Sequence, residues 1–311
     1  MTTGVTVAVV GATEIAKELG KKGTASDVSM FNTVLEGHAV TLVEPTQFPD
    51  KVAPLLVALG MADRCLLVVT ELTRAVAESM AIVDLSDRPT VVVVGPNVGE
   101  AELGRVLKGS RLESAPRSPL DYPKLRSEME TWTAPQVDGP VEVPIDHSFP
   151  VKGVGAVALG VVRRGTLHAH DKLRLYPTGK EVEVRSIQVH DVDRKDAGCG
   201  ERVGVALRGI DAEEISRGQV LAPPATLAES PTVAGREWVR CRYYRGDAGP
   251  GAQLHLSLGL QVVPAVLDEV GPAKVQVTAD RPVAARPGLP AYLLDLGVPA
   301  GPRIFGRFKT G

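Results

Sequence analysis

Aromatic residues make up only 4% of this 311-residue chain, and it has three cysteines. No run reaches 18 apolar residues, so no helical membrane span is expected. Cys65, Cys199 and Cys241 are isolated, and no CxxC or His/Cys spacing is present. The sequence therefore supports neither a disulfide framework nor a zinc site, and a reducing, cytoplasmic home is the expectation. Charge of one sign is missing too. Lys plus Arg count 35 against 37 Asp plus Glu, a net charge of −2. That excludes a strongly basic protein binding nucleic acid by charge alone. The first residues, MTTGVTVAVVG, have no basic lead and do not read as a secretory signal.

Glycine (32) and proline (24) are abundant, as many short strands joined by tight turns require. In 1–139, VTVAVV (5–10), AVTLVE (39–44), CLLVVT (65–70) and TVVVV (90–94) are nearly continuous apolar runs. This is the pattern of parallel strands covered on both faces. Helices are expected near 13–21, 51–61, 72–82, 98–108 and 121–132, giving a βαβ series. TAPQVDGPVEVPI (133–145) reads as a linker. Beyond it the period changes to two: in RVGVALR, Val203, Val205 and Leu207 alternate with Arg202, Gly204, Ala206 and Arg208. In EVEVRSIQV the apolar set slips by one residue, which predicts a bulge near Arg185. A second break falls at LAPPATLAESP (221–231), followed by strand-like REWVRCRYYR, AQLHLSLGLQVV, KVQVTAD, PAYLLDL and PRIFGRF.

The expected plan is an α/β parallel-sheet domain over 1–139 and two small antiparallel β-barrels over 140–224 and 225–311. Charge partitions along it. The first segment holds 13 basic and 18 acidic residues, the second 12 of each, and the third 10 basic and 7 acidic. A polyanion should meet the barrels rather than the first domain; simple surface solubility is the competing reading.

Two blocks carry a specific resemblance. VPIDHSFPVKGVGAVALGVVRRGTLHAHDKLRLYP and GERVGVALRGIDAEEISRGQVLAPP resemble domain 2 of translational GTPases, with Gly153, Gly155, Gly160 and Gly165 in the first and Arg208, Gly209, Ile210, Arg217, Gly218 and Gln219 in the second. Elongation factor Tu and the selenocysteine-specific elongation factor are the similar members. GAQLHLSLGLQVVPAVL and PGLPAYLLDLGVPAGPRIFGRF resemble their third domain more loosely.

The resemblance implies a G-domain-like fold for 1–139, with a P-loop after VAVVG. A working P-loop reads GxxxxGK[ST]. Here Gly11 and Lys17 are in register, but the second glycine is Ala16 and the hydroxyl position is Glu18. Backbone N–H groups cradle phosphates only where the chain passes close to them. Glu18 removes a magnesium-ligating hydroxyl and adds a carboxylate beside the phosphates, with Glu14 nearby. One like-charge contact at about 4 Å costs roughly 4 kcal/mol at an effective dielectric of 20. The family's switch Thr falls at Ala25, beside Thr24. Its DxPGH falls at Glu44-Pro45-Thr46-Gln47-Phe48, so Gln47 replaces the γ-phosphate glycine and Phe48 the histidine that orients water. The guanine-reading NKxD falls at Gly95-Pro96-Asn97-Val98, without its Asp.

Scaffold positions are kept while the chemistry is absent, as in short archaeal paralogues with a degenerate nucleotide domain. Gly11, Ala16, Lys17, Glu18, Glu44 and Gln47 are then a vestigial nucleotide site, and no catalytic residue and no cofactor are expected. GTP with magnesium ligated by Glu18 is the alternative.

In Tu-type factors a cleft of domain 2 holds the aminoacyl end of tRNA. The matching positions here are Gln188, His190 and Arg202, which can hydrogen-bond, stack and contact phosphate, respectively. In the third segment Arg236, Arg240, Arg242, Tyr243, Tyr244 and Arg245 mix cations and aromatics in ten positions, as RNA backbone contact uses; a charged edge strand accounts for them equally. Arg163, Arg164, Arg185 and Arg208 are either further phosphate contacts or paired surface residues. His168, His170 and Asp171 are too few for a metal, and no Ser/His/Asp, Cys/His or paired-carboxylate set is present.

The expected function is a non-hydrolysing elongation-factor-like protein. It would bind tRNA or a ribosomal component through Gln188, His190, Arg202, Arg240 and Arg242, and a protein partner through the first domain, with no membrane or DNA role. A divergent GTP-binding factor and an adaptor outside translation are the alternatives. The C-terminal extension through which selenocysteine factors couple to their mRNA element is not seen in this sequence, so no direct part in selenocysteine insertion is expected.

Overall fold

The computed structural model describes residues 4–311. Met1–Thr3, the start of the segment read above as lacking a secretory signal, lie outside the described residues. The chain forms two compact units: Met1–Thr133 with Cys241–Gly246 and Gly297–Phe305, and Ala134–Arg240 with Asp247–Leu296 and Gly306–Gly311.

The first unit is built on a seven-stranded sheet of order β2-β3-β4-β1-β5-β6-β7. Its strands are β1 (Val5–Gly11), β2 (Lys21–Ala25), β3 (Ser29–Leu35), β4 (His38–Glu44), β5 (Arg64–Val69), β6 (Thr90–Val94) and β7 (Arg117–Pro119). The four expected strands are β1, β4, β5 and β6, and they pair in parallel in the order β4-β1-β5-β6. Both faces are covered, which is why these runs carry no polar alternation. The helices are α1 (Ala16–Leu19), α2 (Ala53–Met61), α3 (Arg74–Leu85), α4 (Glu100–Leu107) and α5 (Tyr122–Glu130). Thr73 caps α3 by accepting from the Val76 N–H, and Asp121 caps α5 from the Lys124 N–H.

The helix expected over 13–21 is corrected to a single turn. At Gly20 the backbone becomes extended, and a Cβ there would lie 3.1 Å from the Asn32 carbonyl oxygen of β3. The chain presses against β3 at that point and runs on as β2. The antiparallel β2-β3 and β3-β4 pairings were not foreseen.

The second unit carries the expected β-structure. The first barrel uses β8 (Val143–Val151), β9 (Gly155–Val161), β11 (Lys172–Tyr176), β12 (Lys180–Val189), β13 (Val192–Arg194), β15 (Arg202–Arg208) and β16 (Val220–Ala222), while β10 (Leu167–His168) and β14 (Asp196–Ala197) pair as a separate two-stranded sheet. The order β11-β16-β8-β9-β15-β12 closes through a β11–β12 pairing, with β13 on the outer edge of β12. Ile145, Ala158, Leu175, Val184, Ile187, Val205 and Leu221 fill it. The β12–β15 register shifts between Val184 and Ser186, placing the bulge at Arg185 as the apolar slip predicts. The expected linker 133–145 is corrected at its end, since β8 starts at Val143. Two prolines and a second bulge between Ile145 and His147 hide this strand from a periodicity reading.

The last barrel closes as β17-β20-β19-β18-β21-β22, from β17 (Ala228–Arg240), β18 (Gln253–Leu258), β19 (Gln261–Val270), β20 (Val275–Ala285), β21 (Pro290–Leu294) and β22 (Ile304–Thr310). REWVRCRYYR is strand only to Arg240; the rest is turn.

Candidate functional site

The loop after β1 is held by the chain itself. Gly11 has φ +99°, and a Cβ there would lie 2.3 Å from the Val68 carbonyl oxygen of β5. Only glycine fits, for a reason internal to the sheet. At the end of β4 the Glu44 side chain is buried, and its carboxylate accepts from two loop N–H groups. Oε1 takes the Glu14 N–H at 2.5 Å and Oε2 the Ala16 N–H at 2.9 Å. Ala16 is buried with Ile15 and Leu19 against the β1, β4 and β5 face.

Lys17 is exposed and its ammonium lies 3.1 Å from Glu14 Oε2. That hydrogen bond and the Glu14 charge raise the Lys17 pKa above its ordinary value. Glu18 is exposed, and its carbonyl accepts from Arg126 at 2.6 Å.

The segment at Glu44–Lys51 is braced from both ends. Thr46 Oγ1 donates to the Ser26 carbonyl at 3.0 Å, and the Gln47 N–H to the Asp27 carbonyl at 3.1 Å. Phe48 is buried. Arg303, just before β22, grips Glu78 on α3. Its backbone N–H and Nε reach Oε1 at 2.7 and 3.0 Å, and Nη2 reaches Oε2 at 2.6 Å. The same guanidinium donates to the carbonyls of Pro49 (2.7 Å) and Asp50 (3.2 Å). Neither Arg303 nor Glu78 stands out from sequence; an Arg one residue before an apolar strand was the only trace.

In the first barrel the structure brings together His190, Arg202 and a residue the sequence reading missed, Asp146. Gln188 pairs with Gly204, so His190, in the turn just after β12, follows in line with Arg202 at the start of β15. Arg202 Nη2 donates to Asp146 Oδ2 at 2.8 Å, and the two side chains are 10% and 3% exposed. Asp146 Oδ1 and Arg202 Nε have no hydrogen-bond partner among the described residues. The bulge between Ile145 and His147 turns the Asp146 carboxylate inward; an acid following Ile145 within a strand was the available signal. His190 sits at φ +48° and is half-buried. Burial and the Arg202 charge hold its pKa below the ordinary 6.5, with Asp191 opposing.

A depressed folded-state pKa means that the neutral imidazole is the favoured form. Its contribution to stability is complete above pH 6.5 and is lost as pH falls through the lower, folded value. In an NMR titration His190 should therefore titrate below 6.5; titration at or above that value would contradict the packing described.

Gln188 is exposed and donates to Asp193 on β13 at 2.9 Å. Arg240 ends β17, and Arg242 belongs to the first unit, donating to the Lys108 carbonyl at 3.1 Å and stacking 4.9 Å from the Tyr243 ring centroid. Tyr244 is buried against Phe305, which removes it from the expected stacking set. Arg164 pairs with Glu142 and Arg208 with Glu183, each at 3.3 Å, while Arg185 donates to the Val154 carbonyl. His168 and His170 each face a single carboxylate at 3.8 Å. Among the described residues no group of three or more His, Cys, Asp or Glu is placed to hold a metal. Among the described residues no helix is long and apolar enough to cross a membrane.

Residues 155–222 match the family described as elongation factor Tu domain 2. An uncharacterized protein of Methanocaldococcus jannaschii is 34% identical over 295 residues, covering 94% of this chain and 95% of that protein. The selenocysteine-specific elongation factor of the same organism is 26% identical over 285 residues, 84% of this chain. The chain belongs to the translational GTPase superfamily. Within the superfamily it is elongation-factor-like, and it is similar to the selenocysteine-specific factor. It spans nearly the whole of the first relative but 61% of the selenocysteine factor. The structure of translation elongation factor SelB from Methanococcus maripaludis, solved with the GTP analogue GppNHp, shares the fold. It matches with a TM-score of 0.85 at 23% identity, over 99% of this chain and 79% of that one.

Proposed function

We propose that this superfamily member has left the GTP cycle and works as a static elongation-factor-like binder of tRNA or a ribosomal component through its barrels. The observation that carries the reading is the Glu44 carboxylate on the N–H groups of Glu14 and Ala16. Those amides are the kind a triphosphate needs, and an internal anion already satisfies them. A phosphate would have to displace it and then sit beside Glu14, Glu18 and Glu44 together. The residues present do not fit GTP with magnesium.

Three features support the same conclusion. The helix after the loop is one turn long, so it brings little dipole to an anion. Glu18 offers no hydroxyl. The Glu44–Lys51 segment, which loop ordering by a γ-phosphate would govern in a switching factor, is already tied by Ser26, Asp27 and Arg303.

Gly11 and Lys17, both in register, favour the alternative of a divergent GTP-binding factor. Gly11, however, is required by its contact with Val68, and Lys17 is engaged by Glu14.

For the barrels, the selenocysteine-specific and 1-alpha elongation factors among the relatives make RNA of the translation apparatus the natural ligand. Exposed Gln188 and half-buried His190, the latter beside the Arg202–Asp146 pair, offer a hydrogen-bonding amide and a stacking face to the end of a charged tRNA. Filter binding with aminoacylated and deacylated tRNA tests this. The expected result is binding that weakens with salt and loses about tenfold in Gln188→Ala combined with His190→Ala, the loss of one or two good contacts. No retention of either tRNA at low salt, with no ribosomal RNA or protein captured from lysate, would overturn it.

A further inference from the structure

The first unit carries an apolar recess that the proposed RNA-binding role does not use. It has a volume of about 150 Å³ and lies beside α3 and α4, lined by Ala77, Met80, Leu107, Leu112, Tyr243 and Pro302. Val106, 38% exposed, stands on its lip. A cavity of about this size takes one benzene-sized group.

We propose that this recess is a docking site for an acidic segment of a partner protein, anchored by one large apolar side chain. The rim supplies the charge argument. Arg74 lines the opening, Arg242 lies over the Tyr243 ring, and the Arg245 side chain packs on Gly301, itself part of the wall. All three arginines are exposed. Arg74 and Arg245 make no hydrogen bond or ion pair among the described residues.

Two carboxylates also reach the wall. Glu78 is neutralised by Arg303, and Asp84 accepts the Arg111 N–H at 2.8 Å. Three cations, Arg74 from the acid-rich segment 1–139 and Arg242 and Arg245 from the segment 225–311, thus face one carboxylate. A local positive excess selects an acidic partner and speeds its approach. The apolar floor supplies affinity only to a segment with a side chain to bury.

The test uses the full chain and two labelled synthetic acidic peptides, one with a central phenylalanine and one with alanine in its place, read by fluorescence anisotropy. The phenylalanine peptide should bind saturably, and the alanine peptide about tenfold or more weakly, the effect of losing one buried aromatic. Val106→Asp should weaken the phenylalanine peptide by about tenfold, and Arg74→Glu with Arg245→Glu by at least as much, the latter diminishing at high salt. These side chains are exposed, and unchanged thermal unfolding of the variants confirms that folding is not what is read. Equal binding of the two peptides, indifference to Val106→Asp, or no binding at all would overturn the proposal. So would binding of a labelled oligouridine with the same dependence on Arg74, Arg245 and Val106, which would make the occupant RNA.

Discussion

Arg303→Ala should lower the unfolding free energy of the first unit by about 3–5 kcal/mol, the cost of leaving a buried carboxylate without its cation. Glu78 loses the two hydrogen bonds from Nε and Nη2 together with its counter-charge, keeping only the one from the backbone N–H of residue 303, and its side chain is 9% exposed. The carbonyls of Pro49 and Asp50 lose their donor in the same step. A loss of that size is a large share of the 5–15 kcal/mol typical of a domain. Chemical denaturation followed by a probe in the first unit measures it. Pairing Arg303→Met with Glu78→Leu should recover most of the loss, because an apolar pair of similar volume removes the orphaned charge. If Arg303→Ala alone shifts the midpoint no more than an ordinary surface substitution, the Arg303 contact does not brace the Glu44–Lys51 segment.

Glu44→Ala has the second large expected effect. It removes two hydrogen bonds to a charged acceptor, about 1.5–3 kcal/mol each, and leaves the Glu14 and Ala16 N–H groups without their partner. Hydrogen exchange should accelerate at these two amides and leave the β17–β22 barrel unchanged. Glu44→Gln keeps one acceptor oxygen and should fall between Glu44→Ala and wild type. Unchanged protection at Glu14 and Ala16 in Glu44→Ala would show that the carboxylate is not what holds the loop.

The fold was legible wherever one pattern dominated. Continuous Val and Leu runs located β1, β4, β5 and β6, and the one-residue slip in EVEVRSIQV located the bulge at Arg185. Strand β2 was not legible, since four of the five residues in KKGTA are exposed and there is no alternation to read. Strand β8 was masked by Pro144, Pro150 and its own bulge. The vestigial nucleotide residues were named from motif register, but register says which groups are lost, not what replaces them. Glu44 was named as the aligned acid. That its carboxylate reaches across to the loop depends on β4 lying beside β1, which no local pattern encodes. Asp146 and Arg202 are 56 residues apart and meet through β8, β9 and β15. His190 and Arg202 were proposed together because they fall in one family cleft, and the β12–β15 register is what joins them.

The central claim is that the loop after β1 is closed by an internal carboxylate. Titration of the wild-type chain with fluorescent GTP and magnesium tests it most directly. The prediction is a signal that stays unsaturated to about millimolar nucleotide. Saturable binding at about micromolar, some 8 kcal/mol of affinity, would mean that the triphosphate displaces Glu44 and that the chain retains a nucleotide switch.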